Sequence, residues 1–181
     1  MNTGEKRIDS VSRLKKFSHA IDRLNDLVGR AVCWLSFFLV VLVTIDVSLR
    51  YIFNISFVAI QEGEWHLFAL LFLLGAGYTL KVNGHVRVDV VYQRLSKRKK
   101  AVINLVGCML FLFPGCLLVI HTSIPFVLAS FYMHEGSPDP GGLPARYILK
   151  TSIPLGFSLL TVQGISMFLK NLLVLTERER G

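Results

Sequence analysis

Asp46 and Arg50 are two ionisable residues inside the first long apolar run of this chain, four positions apart. On a helix that spacing puts both on one side. There an acid and a guanidinium neutralise each other, and Arg50 can reach toward the nearer membrane surface. The same pair could instead face a partner helix or an ion pathway, because ionisable groups within apolar helices mark functional positions. His66 and His121 fall in the second and third apolar runs. If those runs are antiparallel, the two imidazoles reach similar depth, as a bis-histidine haem requires; interfacial and helix-packing roles are the alternative. Cys33, Cys108 and Cys116 also lie in apolar runs. Cys108 and Cys116 would sit about 12 Å apart on one helix, too far for a disulfide, so they read as small buried residues. The sequence contains no CxxC pair, no metal-ligand spacing and no glycine-rich phosphate loop. These residues predict no enzyme active site, no cofactor and no metal.

The elements that must position them are membrane spans. Of the 181 residues, 52% are hydrophobic and only 18% charged, and the mean hydropathy is +0.54. Crossing the hydrocarbon, about 30 Å thick, takes roughly 20 mainly apolar residues. Four segments qualify, at about 31–53, 65–82, 101–133 and 147–169. The third is longer than one crossing needs, and Pro114 and Pro125 offer places to bend. The expected fold is an all-α integral membrane protein with four transmembrane helices and amphipathic interfacial helices. Residues 1–30 form a cytoplasmic N-terminal segment, 31–172 a single membrane domain and 173–181 a cytoplasmic tail.

A net charge of +8 in a soluble protein would suggest nucleic acid. Here the charges are absent from the apolar runs and alternate between connecting segments, so no nucleic-acid partner is expected. Lysine and arginine crowd the segment before the first span and the loop from Lys81 to Lys100. The loop 54–64 has no base and two acids, Glu62 and Glu64, and His134 to Arg146 has only Arg146. Basic loops stay in the cytoplasm, which predicts an N-in, C-in, multi-pass protein of the bacterial inner membrane. The long charged lead before the first span reads as part of a retained signal-anchor rather than a cleaved signal peptide.

Leu14, Phe17, Ile21, Leu24 and Val28 share a helical face. They predict an amphipathic helix on the cytoplasmic surface or a continuation of span one, with anionic lipid favoured by the neighbouring bases. Val88, Val91, Tyr92 and Leu95 predict an interfacial helix over about 85–97. Gly75 and Gly77, with Ala76 between them, allow close helix approach in lipid, and Gln163 and Ser166 can hydrogen-bond across helices.

The order of several motifs resembles one family. Arg50-Tyr51-x-Phe53 is followed by Glu62 and Glu64 opening a helix, Gly75-Ala-Gly-Tyr78, and Gly84-His85-Val86-Arg87-Val88-Asp89. Then come Gly136-Ser-Pro-Asp-Pro-Gly-Gly-Leu-Pro-Ala-Arg146, Ile153-Pro-Leu-Gly-Phe157 and Leu159-Leu-x-x-Gln163-Gly164. Over about Leu24 to Leu172 the chain resembles the small, Q-type membrane subunit of a tripartite ATP-independent periplasmic (TRAP) transporter. The resemblance implies a scaffold for a large permease subunit that carries the sodium and substrate sites. It also implies a periplasmic binding protein that delivers an organic acid.

Interrupted short helices and inverted repeats, the marks of a carrier's own site, are lacking in this sequence. A haem- or quinone-linked anchor of a respiratory enzyme, and a stand-alone small carrier or assembly factor, are the competing classes. Glu62 and Glu64 are expected either to complement a helix N-terminus or to dock a partner. His85 and Asp89 are expected to anchor the turn into the interfacial helix. The stiff loop from His134 to Arg146 is expected to present a docking surface.

Overall fold

The computed structural model describes residues 3–82, 84, 92 and 94–177, with side chains described from 12 to 176 within them. The helices are α1 (Thr3–Ile52), α2 (Val58–Lys81), α3 (Lys97–Gly107), α4 (Phe113–Tyr132) and α5 (Arg146–Glu177). A π-helical turn, Cys108–Leu112, joins α3 to α4, and no strand occurs among the described residues. Three helical stretches are long and apolar enough to cross a membrane: Ser12–Ile52, Lys97–Tyr132 and Arg146–Thr176. α2, at 24 residues, has the length, but Gln61, Glu62, Glu64 and His66 dilute its apolar character. Residues 85–91 and 93, which hold most of the expected interfacial helix together with His85 and Asp89, lie outside the described residues; Lys97 begins α3.

α1 joins the N-terminal segment and the first span in one helix of 50 residues, about 75 Å long. No proline interrupts it, and two hydroxyls in its membrane-spanning part bond back to the helix. Thr44 Oγ1 donates to the Val40 carbonyl and Ser48 Oγ to the Thr44 carbonyl, both at 2.7 Å. The helix stops at Asn54, whose φ of 56° is left-handed. This lets the Ile55 N–H return to the Leu49 carbonyl at 3.1 Å, the usual way of closing a last turn.

The buried face of α1 differs from the expected one. Of the apolar stripe only Ile21 is buried, while Phe17 is 56% and Leu24 45% exposed. Ser18, Asp22, Asn25 and Gly29 turn inward instead. At a lipid interface an outward apolar side chain can rest against acyl chains, whereas buried polar groups must find one another.

α2 also begins earlier than its apolar run. Glu62 and Glu64 therefore sit one to two turns inside the helix, and its first turn carries no acid. At the π-turn, Phe113 N–H bonds to the Cys108 carbonyl, five residues back. The wider turn precedes Pro114, whose ring would otherwise press on the preceding turn. α5 is the hub: it packs on α1, α2, α3 and α4, α1 also packs on α2, and no comparable contact joins α2 to α4. Gly156 brings α5 against the α2 backbone, where an added Cβ would lie 2.6 Å from the Leu73 carbonyl oxygen.

Inside and outside are inverted relative to a soluble bundle. The largest fully buried side chains described are Gln163, Asn25, Cys108, Ser130 and Ser166, while Trp34, Phe37, Phe38, Phe72 and Phe111 face outward. That distribution suits lipid as the surrounding solvent.

Candidate functional site

Three polar clusters stand out: one joins two helices, one ties a loop to a helix and one lies along a single helix. The first joins α1 to α5 near the end that carries the chain's N-terminus. Asn25 Nδ2 donates to Gln163 Oε1 at 2.9 Å, and Gln163 Nε2 donates to Asp22 Oδ1 at 3.1 Å. Ser166 Oγ donates to the same Asp22 oxygen at 3.0 Å and lies 2.7 Å from Ser18 Oγ. Lys170 closes the set with an ion pair to Asp22 Oδ2. Residues 18, 22 and 25 meet 163, 166 and 170 because spacings of three and four keep each set on one helix face. Buried polar groups need such partners, each hydrogen bond contributing about 1 kcal/mol. Gly77 completes the packing, since a Cβ there would run into Asn25 Oδ1. Gly75 is less constrained: its added Cβ would stand 3.4 Å from Val32 Cγ1, an ordinary contact.

The second cluster fastens the 134–145 loop to α2. Glu62 is only 4% exposed. Its carboxylate accepts from Ser137 Oγ and from the Leu143 N–H, each at 2.5 Å. The Ser137 hydroxyl first, then the Leu143 amide, hold its carboxyl below the usual range against the opposing effect of burial, with Arg146 and His66 adding smaller contributions. Glu62 thus serves an internal clamp rather than a helix N-terminus or an exposed docking contact. Glu135 pairs with Lys150, which keeps that carboxyl low too. The Glu135 carbonyl accepts the Arg146 N–H at 2.8 Å. The Arg146 guanidinium lies 5.4 Å from the centre of the Trp65 ring, within cation–π range. Gly142 must be small, because a Cβ there would stand 2.8 Å from Glu62 Oε2.

The third cluster is Asp46 with Arg50, an ion pair one turn apart on α1. The Asp46 side chain is 3% exposed and that of Arg50 47%, so the acid faces inward and the base reaches out. Glu64 on α2 lies within electrostatic range of both. One oxygen of Asp46 and one of Glu64 are buried without a hydrogen-bond partner.

His66 and His121 lie on different helices in different surroundings. His66 Nδ1 lies 2.5 Å from the Glu62 carbonyl oxygen on its own helix. His121 is exposed on α4, and α5 packs against both helices that bear the two residues. No group of three or more metal-ligating side chains occurs among the described residues. A haem or quinone-linked anchor finds no support in this arrangement.

Ser18, Asp22, Asn25, Ser137 and Gly156 were not expected as key positions. A signal for the first three was present: 18, 22, 25 and 29 repeat at four, three and four, beside the apolar stripe. Ser137 and Gly156 fall within motifs that carry the family resemblance, but spacing does not reveal what they touch.

Outward-facing apolar residues and inward hydrogen-bonded polar ones define an α-helical membrane protein. The family model for tripartite ATP-independent periplasmic transporters, DctQ component, matches residues 39–173. The chain belongs to this family, and is a small membrane subunit of a TRAP transporter. The family is one of transporter components, not of enzymes. No curated protein and no solved structure gives a significant match to the chain.

Proposed function

We propose that the chain is a rigid membrane frame for the large permease subunit. The observation that carries this reading is that Asn25, Gln163 and Ser166, among the most deeply buried side chains, join α1 to α5 through hydrogen bonds. The complex would take up an organic acid, driven by an ion gradient, most naturally sodium, and delivered by a periplasmic binding protein. Four crossings, with α2 as the second, place both chain ends and the basic 81–100 segment in the cytoplasm of a bacterial inner membrane. The even alternation of basic and non-basic loops supports this orientation.

On this topology the clamped 134–145 loop faces the periplasm. Its fixed shape supports a role in meeting the binding protein, with Arg146 and the loop tip as the contact. Gly75, Gly77 and Gln163 act in packing, and Asp46 with Arg50 is a structural pair. Glu64, which faces the Asp46–Arg50 pair from α2, is assigned to the same structural cluster.

Purification of a tagged chain should bring down a large permease subunit of roughly a dozen spans. In proteoliposomes, uptake should need this chain, the permease and the binding protein together. Uptake by this chain alone would overturn the reading.

A further inference from the structure

Beside the Asp22 network, α1 and α5 leave a groove of about 320 Å³ lined by Lys15, Ser18, His19, Lys170, Leu173 and Val174. The Ser18 hydroxyl is engaged with Ser166, so Lys15, His19 and Lys170 supply the groove's polar character. Lys170 is tied on one side to Asp22, yet its side chain remains 49% exposed. The acid is only 12% exposed and leaves the outer flank of the ammonium available to a second anion. Exposed Arg13, Lys16 and Arg23 on the same stretch of α1 add to the positive potential.

The other wall is apolar, and Val174 on it is 42% exposed. Phe17, Leu24 and Leu27 also face outward on this part of α1. Cations interleaved with outward apolar side chains are the pattern of a helix at headgroup level. A soluble phosphate ion would gain nothing from the apolar wall, whereas a lipid would cover it with the start of an acyl chain.

We propose that this groove binds the phosphate of an anionic phospholipid, with Lys15, His19 and Lys170 around the headgroup and Leu173 and Val174 against the glycerol and first methylenes. The bound lipid bridges α1 and α5 at the place where their polar network ends. The inference rests on the membrane placement proposed above, and is independent of what the complex transports.

The test uses the purified full chain in neutral detergent, titrated with phosphatidylglycerol, phosphatidylcholine or inorganic phosphate and read by native mass spectrometry. Phosphatidylglycerol should bind at least about tenfold more tightly than phosphatidylcholine. The double variant Lys15→Gln/His19→Gln alters exposed residues outside the Asp22 network, and should lose about fivefold to tenfold in phosphatidylglycerol affinity. Arg30→Gln, which removes an exposed charge on α1 away from the groove, should stay within about twofold of the unaltered chain. Circular dichroism of each variant checks that its helices are intact. Equal binding of the two lipids would overturn the proposal, as would an equal loss in Arg30→Gln. Displacement of the lipid by inorganic phosphate at micromolar concentration would identify a soluble-ion site and overturn it as well. Failure of the chain to remain in vesicles after alkaline extraction would reject the membrane placement itself, a separate result.

Discussion

Replacing Gly156 with alanine separates backbone-limited packing from mere tolerance of a small residue. The new Cβ would lie 2.6 Å from the Leu73 carbonyl oxygen and 2.8 Å from its carbon. Both are backbone atoms of α2, so no rotamer change relieves the overlap. The oxygen must retreat to about 3.4 Å, which moves α5 away from α2 along their shared face. Overpacking of this kind costs about 1–3 kcal/mol, while alanine returns about 1 kcal/mol through its helix propensity. Gly156→Ala should therefore destabilise the chain by up to about 2 kcal/mol. Gly75→Ala is the matched control, because its Cβ would meet only Val32 Cγ1 at 3.4 Å. It should leave stability unchanged or raise it by up to about 1 kcal/mol. Denaturant unfolding of the purified chain in one detergent, followed by tryptophan fluorescence, gives both values. If Gly156→Ala unfolded at or above the midpoint of the unaltered chain, or if the two variants were indistinguishable, the contact would not limit packing and the reasoning would fail.

Three further expectations follow from the clusters. In a double-mutant cycle, Asn25→Ala and Gln163→Ala should couple by about 0.6–1.7 kcal/mol, the range for interhelical hydrogen bonds in membranes; additive losses would place no direct bond between them. Glu62 and Glu135 have depressed carboxyl pKa values. Their stabilisation of the loop is therefore full above the ordinary carboxylate range and lost as pH falls through the lower folded-state values. Hydrogen-exchange protection over 134–145, taken relative to the intrinsic rate at each pH, should stay high at neutral pH and fall only in strong acid, while Glu62→Gln should lower it at neutral pH. For the third cluster, Arg50→Gln should destabilise more than Asp46→Asn. The first leaves a carboxylate that is 3% exposed without its cation, and the second leaves a half-exposed guanidinium that water can reach. Full uptake by a complex carrying Asp46→Asn would exclude proton coupling through that residue.

Much of the architecture was legible because lipid imposes a simple requirement. Long apolar runs became helices, and the ordered motifs from Arg50 to Gln163 led to the family. Gln163 and Ser166 were recognisable as interhelical donors, since polar residues in an apolar helix need partners. Their partners were harder to see. The apolar stripe through Phe17 and Leu24 is the more conspicuous pattern on α1, and in water it would be the buried one. At the membrane interface that stripe can rest against lipid, and the adjoining Ser18, Asp22 and Asn25 stripe packs inward instead. Glu62 was misjudged for another reason: its apolar run begins at Trp65, while the helix begins at Val58, so a carboxylate expected at a helix end lies inside it.

The sequence alone determined that the protein is helical, that its surface suits lipid and which family it belongs to. These properties reside in composition, run length and motif order, and each can be read locally along the chain. Tertiary structure decided that α5 is the hub, that Asp22 joins Gln163, Ser166 and Lys170 in one network, and that Glu62 clamps a loop 75 residues away at Ser137. Those contacts depend on how helices rotate about their axes and on where glycines let backbones meet. Helix rotation is set by the fit of all the faces at once.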